Sequence, residues 1–144
     1  MATTHPDLDK LGENHFILKI GGIEIGAFRE CTGLAMEREV MEYAEGGQND
    51  FVHKLPGRVK YPNLVLKRGI TEQAELMKWF WDARQNPELK AIMVELRDTS
   101  QAPRRRWSFE GAYPLKWTGP NLNAGSDTAA TEQLEIVHRG MGKI

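Results

Sequence analysis

Residues 16–28 read FILKIGGIEIGAF, two apolar, β-rich runs on either side of a glycine pair. Glycine readily adopts the positive φ angles of a tight two-residue turn, so this arrangement predicts a β-hairpin. The expected strands cover residues 16–20 and 23–28, with Gly21 and Gly22 as the turn. The stretch therefore favours a protein built mainly from antiparallel strands.

Further stretches have the apolar content or the alternation of β-strands: residues 36–43, 63–68, 92–97, 106–110 and 132–138. Ile92, Val94 and Leu96 alternate with polar residues or methionine, the pattern of a strand with one buried face. Residues 113–117 are expected to lead out of the return strand into a segment rich in glycine, proline and asparagine.

A single helix is predicted over residues 71–85. Thr71 supplies an N-cap side chain, and Pro87 stops the helix. One apolar face is expected from residues at helical spacing, with Trp79 and Trp81 at its edges. The residues of that face are Leu76, Met77, Phe80 and Ala83.

Strands before and after one helix predict an α+β fold, mainly an antiparallel β-barrel or sandwich with one flanking α-helix. The 144 residues suit a single domain, residues 1–144, with residues 1–13 as a flexible N-terminal segment. Hydrophobic residues make up 40% and charged residues 27%, as in soluble globular domains. With 19 basic and 20 acidic side chains the net charge is −1, which provides no overall basic field for nucleic acid or anionic membrane.

The N-terminal sequence has no basic patch followed by an apolar run, and no stretch is long enough to span a membrane. The single cysteine, Cys31, cannot form an intrachain disulfide. We therefore expect synthesis in a reducing bacterial cytoplasm, without a signal peptide and without stable membrane anchoring.

The sequence offers no pattern that predicts catalysis, a cofactor or a metal site. The histidines at positions 5, 15, 53 and 138 are isolated from one another, and no CxxC or HxxxH motif occurs. Cys31 is interpreted as a small buried apolar side chain. Gly46-Gly47 lacks the Gly-Lys-Ser/Thr of a phosphate-binding loop. Residues 104–106, three arginines beside Trp107, could clamp single-stranded nucleic acid, but a solvated hairpin end explains them better.

Residues 45–61 combine turn formers with apolar side chains and are predicted to form a long loop. A disordered linker seldom contains apolar residues such as Phe51, Val52 and Leu55. Two alternatives remain open from these residues alone: the loop orders against a partner chain, or it folds back onto its own core.

Several stretches together resemble one family. Residues 28–34 (FRECTGL) are followed by Glu37, Glu39 and Tyr43, and residues 43–49 (YAEGGQN) by 54–57 (KLPG) and 60–69 (KYPNLVLKRG). Residues 114–117 (PLKW) and 132–136 (EQLEI) also fit. The pattern, which runs from about Phe16 to His138, resembles the tail-tube proteins of contractile phages, R-type pyocins and extracellular contractile injection systems. That family is related to the Hcp tube protein of type VI secretion.

The resemblance implies a structural inner-tube protein whose hexameric rings stack into a hollow tube inside a contractile sheath. Implied partners are further copies of the chain, the sheath protein, baseplate and spike proteins, and a luminal cargo of DNA or effector proteins. The predicted helix is expected on the outside of the tube, near the sheath. Implied assembly contacts lie in the long loop: Gly46, Gly47, Gln48, Asn49, Phe51, Val52, Lys54, Leu55, Pro56 and Gly57.

Two alternatives come from neighbouring classes. A secreted ring protein of the Hcp type would share the fold, and a monomeric β-barrel module would bind a ligand or single-stranded nucleic acid. An enzyme would need a pocket with perturbed titrating groups, which the sequence does not indicate.

Overall fold

The computed structural model describes residues 15–43, 52–70, 72, 74–125 and 130–142. In chain order its elements are β1 His15–Ile20, β2 Ile23–Phe28, β3 Glu30–Thr32, β4 Glu37–Tyr43, β5 His53–Lys60, β6 Leu64–Gly69, α1 Glu75–Asp82, β7 Lys90–Arg97, β8 Pro103–Thr118, β9 Thr131–Val137 and β10 Gly140–Met141. The predicted N-terminal segment, residues 1–13, lies outside the described residues.

Every ladder between these strands is antiparallel. Seven strands of an eight-stranded sheet follow the order β2-β1-β7-β8-β9-β6-β3, and β10 pairs with β8. Strands β4 and β5 form a separate two-stranded sheet. The predicted fold class, antiparallel strands with a single helix, is confirmed for the described part of the chain, although the sheet is not closed into a barrel.

The hairpin at residues 15–28 forms as the sequence predicts. Gly21 and Gly22 have φ angles of 60° and 83°, so the turn uses the backbone freedom that only glycine provides cheaply. Ile20 and Ile23 are register partners on either side of the turn.

The large sheet curls because its two end strands are consecutive in the chain. Only Arg29 separates β2, at one end of the strand order, from β3, at the other. The backbone N–H of Arg29 donates to the carbonyl of Lys67 in β6 at 3.0 Å. A link of one residue leaves no room for a flat sheet, so β2 comes to lie beside β6.

The curl encloses the hydrophobic core. The core side chains are Leu18, Ile20, Phe28, Leu64, Leu66, Leu76, Trp79, Ile92, Val94, Phe109, Ala112, Leu134 and Ile136. In β6 and β9 every second residue is buried, the alternation expected of strands with one face on a core. Burial of each large apolar side chain contributes about 1.5–3 kcal/mol to folding.

A buried ion pair lies where the ends of the sheet meet. Arg68 on β6 and Glu132 on β9 are register partners, and the Arg68 guanidinium donates to the Glu132 carboxylate. Trp117 Nε1 donates to the other carboxylate oxygen at 3.1 Å, and the guanidinium carbon lies 5.4 Å from the centre of the Phe28 ring on β2. A side chain at Gly26 would collide with this guanidinium. The Arg68 side chain, which starts on β6, therefore links Glu132 on β9 to Phe28 on β2.

Strand β8 belongs to both halves of the sheet. Its first part pairs with β7 as far as Ala112, and its second part pairs with β9 from Tyr113 onward. Gly111, with φ of 61°, lies just before this change of partner. Residues 113–117, which the sequence treats as a segment leading out of the return strand, are thus continuous with it, because the glycine bends the strand without ending it.

Helix α1 is shorter than the predicted range of residues 71–85, and Thr71 lies outside the described residues. Leu76 and Trp79, three residues apart, are its buried side chains, and the helix packs against β8. The expected face is therefore partly wrong: Met77 is exposed and Trp79 is in the core. The helix is only eight residues long, so it presents a single narrow stripe to the sheet.

The predicted loop over residues 45–61 is wrong for its second half, because His53–Lys60 form strand β5. Pro56 is a turn signal in sequence, but it lies opposite Val40 in a sheet of two strands. Proline is tolerated there because both strands of such a sheet are edge strands, so the missing N–H removes no hydrogen bond to a further strand.

Gly33 is expected to be far less replaceable than Gly22. Both have positive φ angles, 94° and 83°, but an added Cβ at Gly33 would collide with the carbonyl oxygen of Asn63, whereas open space surrounds Gly22. We expect Gly22→Ala to lower the free energy of unfolding by about 1–2 kcal/mol from backbone strain. Gly33→Ala should cost about 2–5 kcal/mol, because the collision adds to the same strain.

Chemical denaturation of both variants beside the wild type measures the difference. Equal losses for the two variants would show that the approach of Gly33 to Asn63 does not constrain the fold.

His138 is expected to make stability depend on pH. Its ring is buried against Phe109 at 4.7 Å between ring centres, and Nε2 lies 3.2 Å from the carbonyl oxygen of Pro62. Burial lowers the pKa of His138 below its ordinary 6.5, despite the opposing effect of nearby backbone carbonyls. The unfolded chain therefore binds the proton more readily, so stability is complete above pH 6.5 and declines as the pH falls through the lower folded-state value.

Urea denaturation between about pH 7 and pH 5, above the range in which most carboxylates titrate, tests this dependence. His138→Phe retains the ring contacts and should flatten the profile. An unchanged slope in that variant would assign the effect to other groups.

Candidate assembly surface

The β4–β5 hairpin lies outside the core. Its two strands pair only with each other among the described strands, and all seven residues of β4 are exposed. Each strand has one unpaired backbone edge, the feature through which strands of different chains join. An isolated two-stranded sheet is marginally stable in water, so this hairpin is incomplete as a structural unit.

Both faces of the hairpin carry apolar side chains. Met41 and Leu55 are register partners on one face and are 60% and 50% exposed. Val40, 57% exposed, lies opposite Pro56 on the other face. Monomeric proteins seldom leave clustered apolar side chains in water, so the hairpin has the composition of a contact surface.

Polar contacts fix the register of the hairpin near its base. Lys60 Nζ lies 2.6 Å from Glu39 Oε1, and this contact raises the pKa of the Lys60 ammonium. Arg38 donates to the carbonyl of Gly57 at 2.9 Å. A Cβ at Gly57 would lie 2.8 Å from the backbone oxygen of Glu39, so the close approach of the strands at this bulge requires glycine.

The structure describes half of the predicted assembly residues. Val52, Lys54, Leu55 and Pro56 are exposed at or just before β5, and Gly57 is half-buried at the bulge. The remainder lie outside the described residues: Gly46, Gly47, Gln48, Asn49 and Phe51.

Sequence reasoning missed the contribution of β4 to this surface. Met36, Val40, Met41 and Tyr43 are all exposed, and the first lies just before the strand. The sequence did contain an indication of this surface, because apolar and polar residues alternate poorly over residues 36–43. A strand with no buried face has no reason to alternate, so the irregularity itself indicated an unpartnered strand.

An apolar groove lies beside the base of the hairpin. Its volume is about 560 Å³, and Arg105 is the one charged residue among the described residues that line it. Leu34, Trp107 and Met141 form part of its wall and also pack against the hydrophobic core. The remaining lining residues are Ala35, Met36 and Gly142.

Two buried carboxylates, Glu95 near the end of β7 and Asp98 just after it, are held in ion pairs. Burial opposes ionisation of Glu95, but hydrogen bonds from Arg97 and Lys19 outweigh it and lower the carboxyl pKa. The Ser100 hydroxyl, with Arg104, lowers the pKa of Asp98. Carboxylates held ionised in this way are poor general acids or bases near neutral pH.

The arginines at positions 104–106 are likewise engaged. Arg104 contacts Asp98, Arg106 contacts Glu95, and the Arg105 guanidinium carbon lies 5.5 Å from the centre of the Trp107 ring. Within the described residues no three histidine, cysteine, aspartate or glutamate side chains cluster as a metal site, and no helix is long and apolar enough to cross a bilayer.

The family model for the T4-like virus tail tube protein gp19 matches residues 12–142. The chain belongs to this family. The tail-tube resemblance seen in the sequence is thereby confirmed, and so is the prediction that the protein is not an enzyme, because the family and its structural neighbours are structural tube proteins. No curated protein sequence matches the chain significantly.

Solved structures agree with the tail-tube assignment. A chain in the cryo-EM structure of the six-fold symmetrised anti-feeding prophage baseplate has a TM-score of 0.74 at 25% identity, over 90% of each chain. A chain in the sheath–tube complex of an extracellular contractile injection system, PVC, in its extended state has a TM-score of 0.75 at 26% identity, over 88% of this chain and 85% of that one. Family and structure together make this chain a tail tube protein of contractile injection systems.

The fold extends to type VI secretion proteins. Hcp1 from Flavobacterium johnsoniae has a TM-score of 0.52 at 20% identity, over 89% of this chain and 94% of that one. This likeness concerns the fold alone.

Cys31 is expected to react slowly in the folded tail tube protein. It lies half-buried in β3, and burial raises the pKa of its thiol from 9.0 to about 11. Only the thiolate attacks alkylating reagents, and two pKa units lower the thiolate fraction by about 100-fold relative to the unfolded chain, which slows the reaction. Mass spectrometry of iodoacetamide adducts, with and without urea, measures the ratio of the two alkylation rates. Comparable rates would show that the Cys31 thiol is accessible and that its pKa is not raised in the folded protein.

Proposed function

We propose that this chain assembles into six-membered rings that stack into the hollow inner tube of a contractile injection particle. Sheath contraction would drive the tube through a target envelope, and its lumen would serve as a conduit. Family membership supports the tube, and the six-fold symmetry of a baseplate containing a similar chain supports the ring size. The single observation within the molecule that carries the proposal is the exposed, two-faced apolar β4–β5 hairpin.

The hairpin is proposed as the main assembly element. Val52, Lys54, Leu55, Pro56 and Gly57 are its described members from the predicted set. Burial of Leu55 and its partner Met41 between copies removes apolar area from water, the principal driving force of stable association. The predicted residues between positions 46 and 51 are proposed as further contacts of the same element.

Other components of the particle are proposed as partners. Similar chains occur in structures of a sheath–tube complex, a baseplate and a tube-terminating cap. We therefore propose that this chain contacts the sheath protein and the baseplate or spike proteins. The outer face of α1 is the candidate surface towards the sheath. DNA and effector proteins are the two candidate cargoes of the lumen, and the proposal makes the protein a component of a phage-like particle that is produced in a bacterial cytoplasm.

A secreted ring protein of the Hcp type is the second candidate, and it is less favoured. The TM-scores of 0.74 and 0.75 for chains in contractile particles exceed the 0.52 for Hcp1, and the identities of 25–26% exceed 20%. A monomeric ligand-binding module is disfavoured because it would leave both faces of the β4–β5 hairpin in water.

Leu55→Asp is expected to leave the monomer folded and to abolish rings and tubes. The side chain is half-exposed in the single chain, so the change costs little stability, whereas a carboxylate buried in an interface carries a large desolvation penalty. Leu122→Asp is the matched control, because Leu122 is 86% exposed and follows β8, so it is not part of the hairpin.

Thermal unfolding, mass in solution and negative-stain electron microscopy separate the outcomes. The proposal requires equal melting temperatures for the two variants and tubes from Leu122→Asp only. Normal tubes from Leu55→Asp would falsify the assembly role of the hairpin, and wild-type protein that stays monomeric with baseplate components present would refute the ring-forming function itself.

A further inference from the structure

The apolar groove beside the hairpin has the properties of an acceptor site. Its walls are the outer edge of the hydrophobic core, since Leu34, Trp107 and Met141 pack against core residues on one side and border the groove on the other. Met36 adds a side chain that is 64% exposed. Apolar side chains placed in this groove would extend the core of the protein, which is the most favourable environment available to them.

We propose that this groove receives the Met41–Leu55 face of the β4–β5 hairpin from a second copy of the chain. The inference rests on the proposed ring-forming function and specifies its interface. Each copy then contributes one hairpin and one groove, two different surfaces, so the contact is heterologous. A heterologous contact repeats from copy to copy, and it closes into a ring when the rotation between neighbouring copies is a whole fraction of a turn.

Geometry excludes the chain's own hairpin as the occupant. Met36 lines the groove and directly precedes β4. Strands rise about 3.4 Å per residue, so Met41 lies about 17 Å along the strand from Met36. A groove of about 560 Å³ is about 8 Å across if its dimensions are similar. The extended strand therefore carries the Met41–Leu55 pair beyond its own groove.

Charge favours the same pairing. Glu37 and Glu39 share the Met41 face by strand alternation, and so do Arg58 and Lys60, of which Lys60 is bonded to Glu39, so the charges of this face balance. Arg105 is the charged residue of the groove, and its guanidinium rests on Trp107 at the groove wall. The opposite face carries Arg38 and Lys54 against Glu42, so it would meet Arg105 with like charge. The Met41 face is thus the one that meets Arg105 without an excess of like charge.

The test uses two assembly variants and one control. Met41→Asp removes the hairpin contact, and Met36→Asp removes the groove contact; both positions are exposed in the single chain, so both variants should fold. Ile23→Asp is the control, because Ile23 is 68% exposed and belongs to neither surface. Circular dichroism and thermal unfolding verify folding, and native mass spectrometry with sedimentation velocity measures association.

Each assembly variant alone should associate about 10- to 100-fold more weakly than the wild type, the effect of losing one buried apolar anchor. An equimolar mixture of the two is the decisive sample. The intact hairpin of Met36→Asp can dock into the intact groove of Met41→Asp, but the resulting pair has no further functional surfaces. The mixture should therefore contain one-to-one heterodimers and no rings, while Ile23→Asp forms rings as the wild type does.

Each contrary result has a separate meaning. Rings from Met36→Asp at wild-type affinity would show that another surface accepts the hairpin, with the ring-forming function intact. Two inactive variants that give no heterodimer on mixing would show that hairpin and groove are not each other's partners. A wild-type chain that never associates would overturn the ring-forming function, and the groove proposal with it.

Discussion

The single residue between β2 and β3 is the constraint on which the rest of this fold depends. Arg29 joins strands at opposite ends of the sheet order, so the sheet must curl until those ends meet. The curl places Phe28 and Leu66 in one core and brings the Arg68 guanidinium between Glu132 and the Phe28 ring. Burial of that guanidinium is tolerable because the carboxylate and the aromatic face compensate for lost water.

The same constraint explains why the β4–β5 hairpin stands apart. After β3 has paired with β6, the chain turns at Gly33, which lies close to Asn63, and the next two strands form a separate sheet. The following strands, β4 and β5, cover no core, and each of their faces carries exposed apolar side chains. The core of the protein is therefore complete, whereas its surface keeps apolar side chains in water, which is the energetic basis of the proposed assembly.

Most strands and the family could be predicted from the sequence because their signals are local. Gly21-Gly22 specifies its turn through backbone conformation, and the alternation at Ile92 and Val94 specifies which face is buried. Strand β5 could not be predicted in this way, because Pro56 and Gly57 are turn formers in isolation. Their pairing with β4 depends on a cross-strand register that adjacent residues do not encode.

The sequence by itself determined the class of the protein: antiparallel strands with a helix after the sixth described strand, a nearly balanced charge and a tail-tube pattern over nearly the whole chain. Only the tertiary structure decided which apolar residues lie inside and which remain outside. Leu66 and Leu55 are the same type of residue, yet Leu66 is fully buried and Leu55 is half-exposed. The difference arises because burial depends on which strands the curl of the sheet brings together, and that closure is a long-range property of the chain.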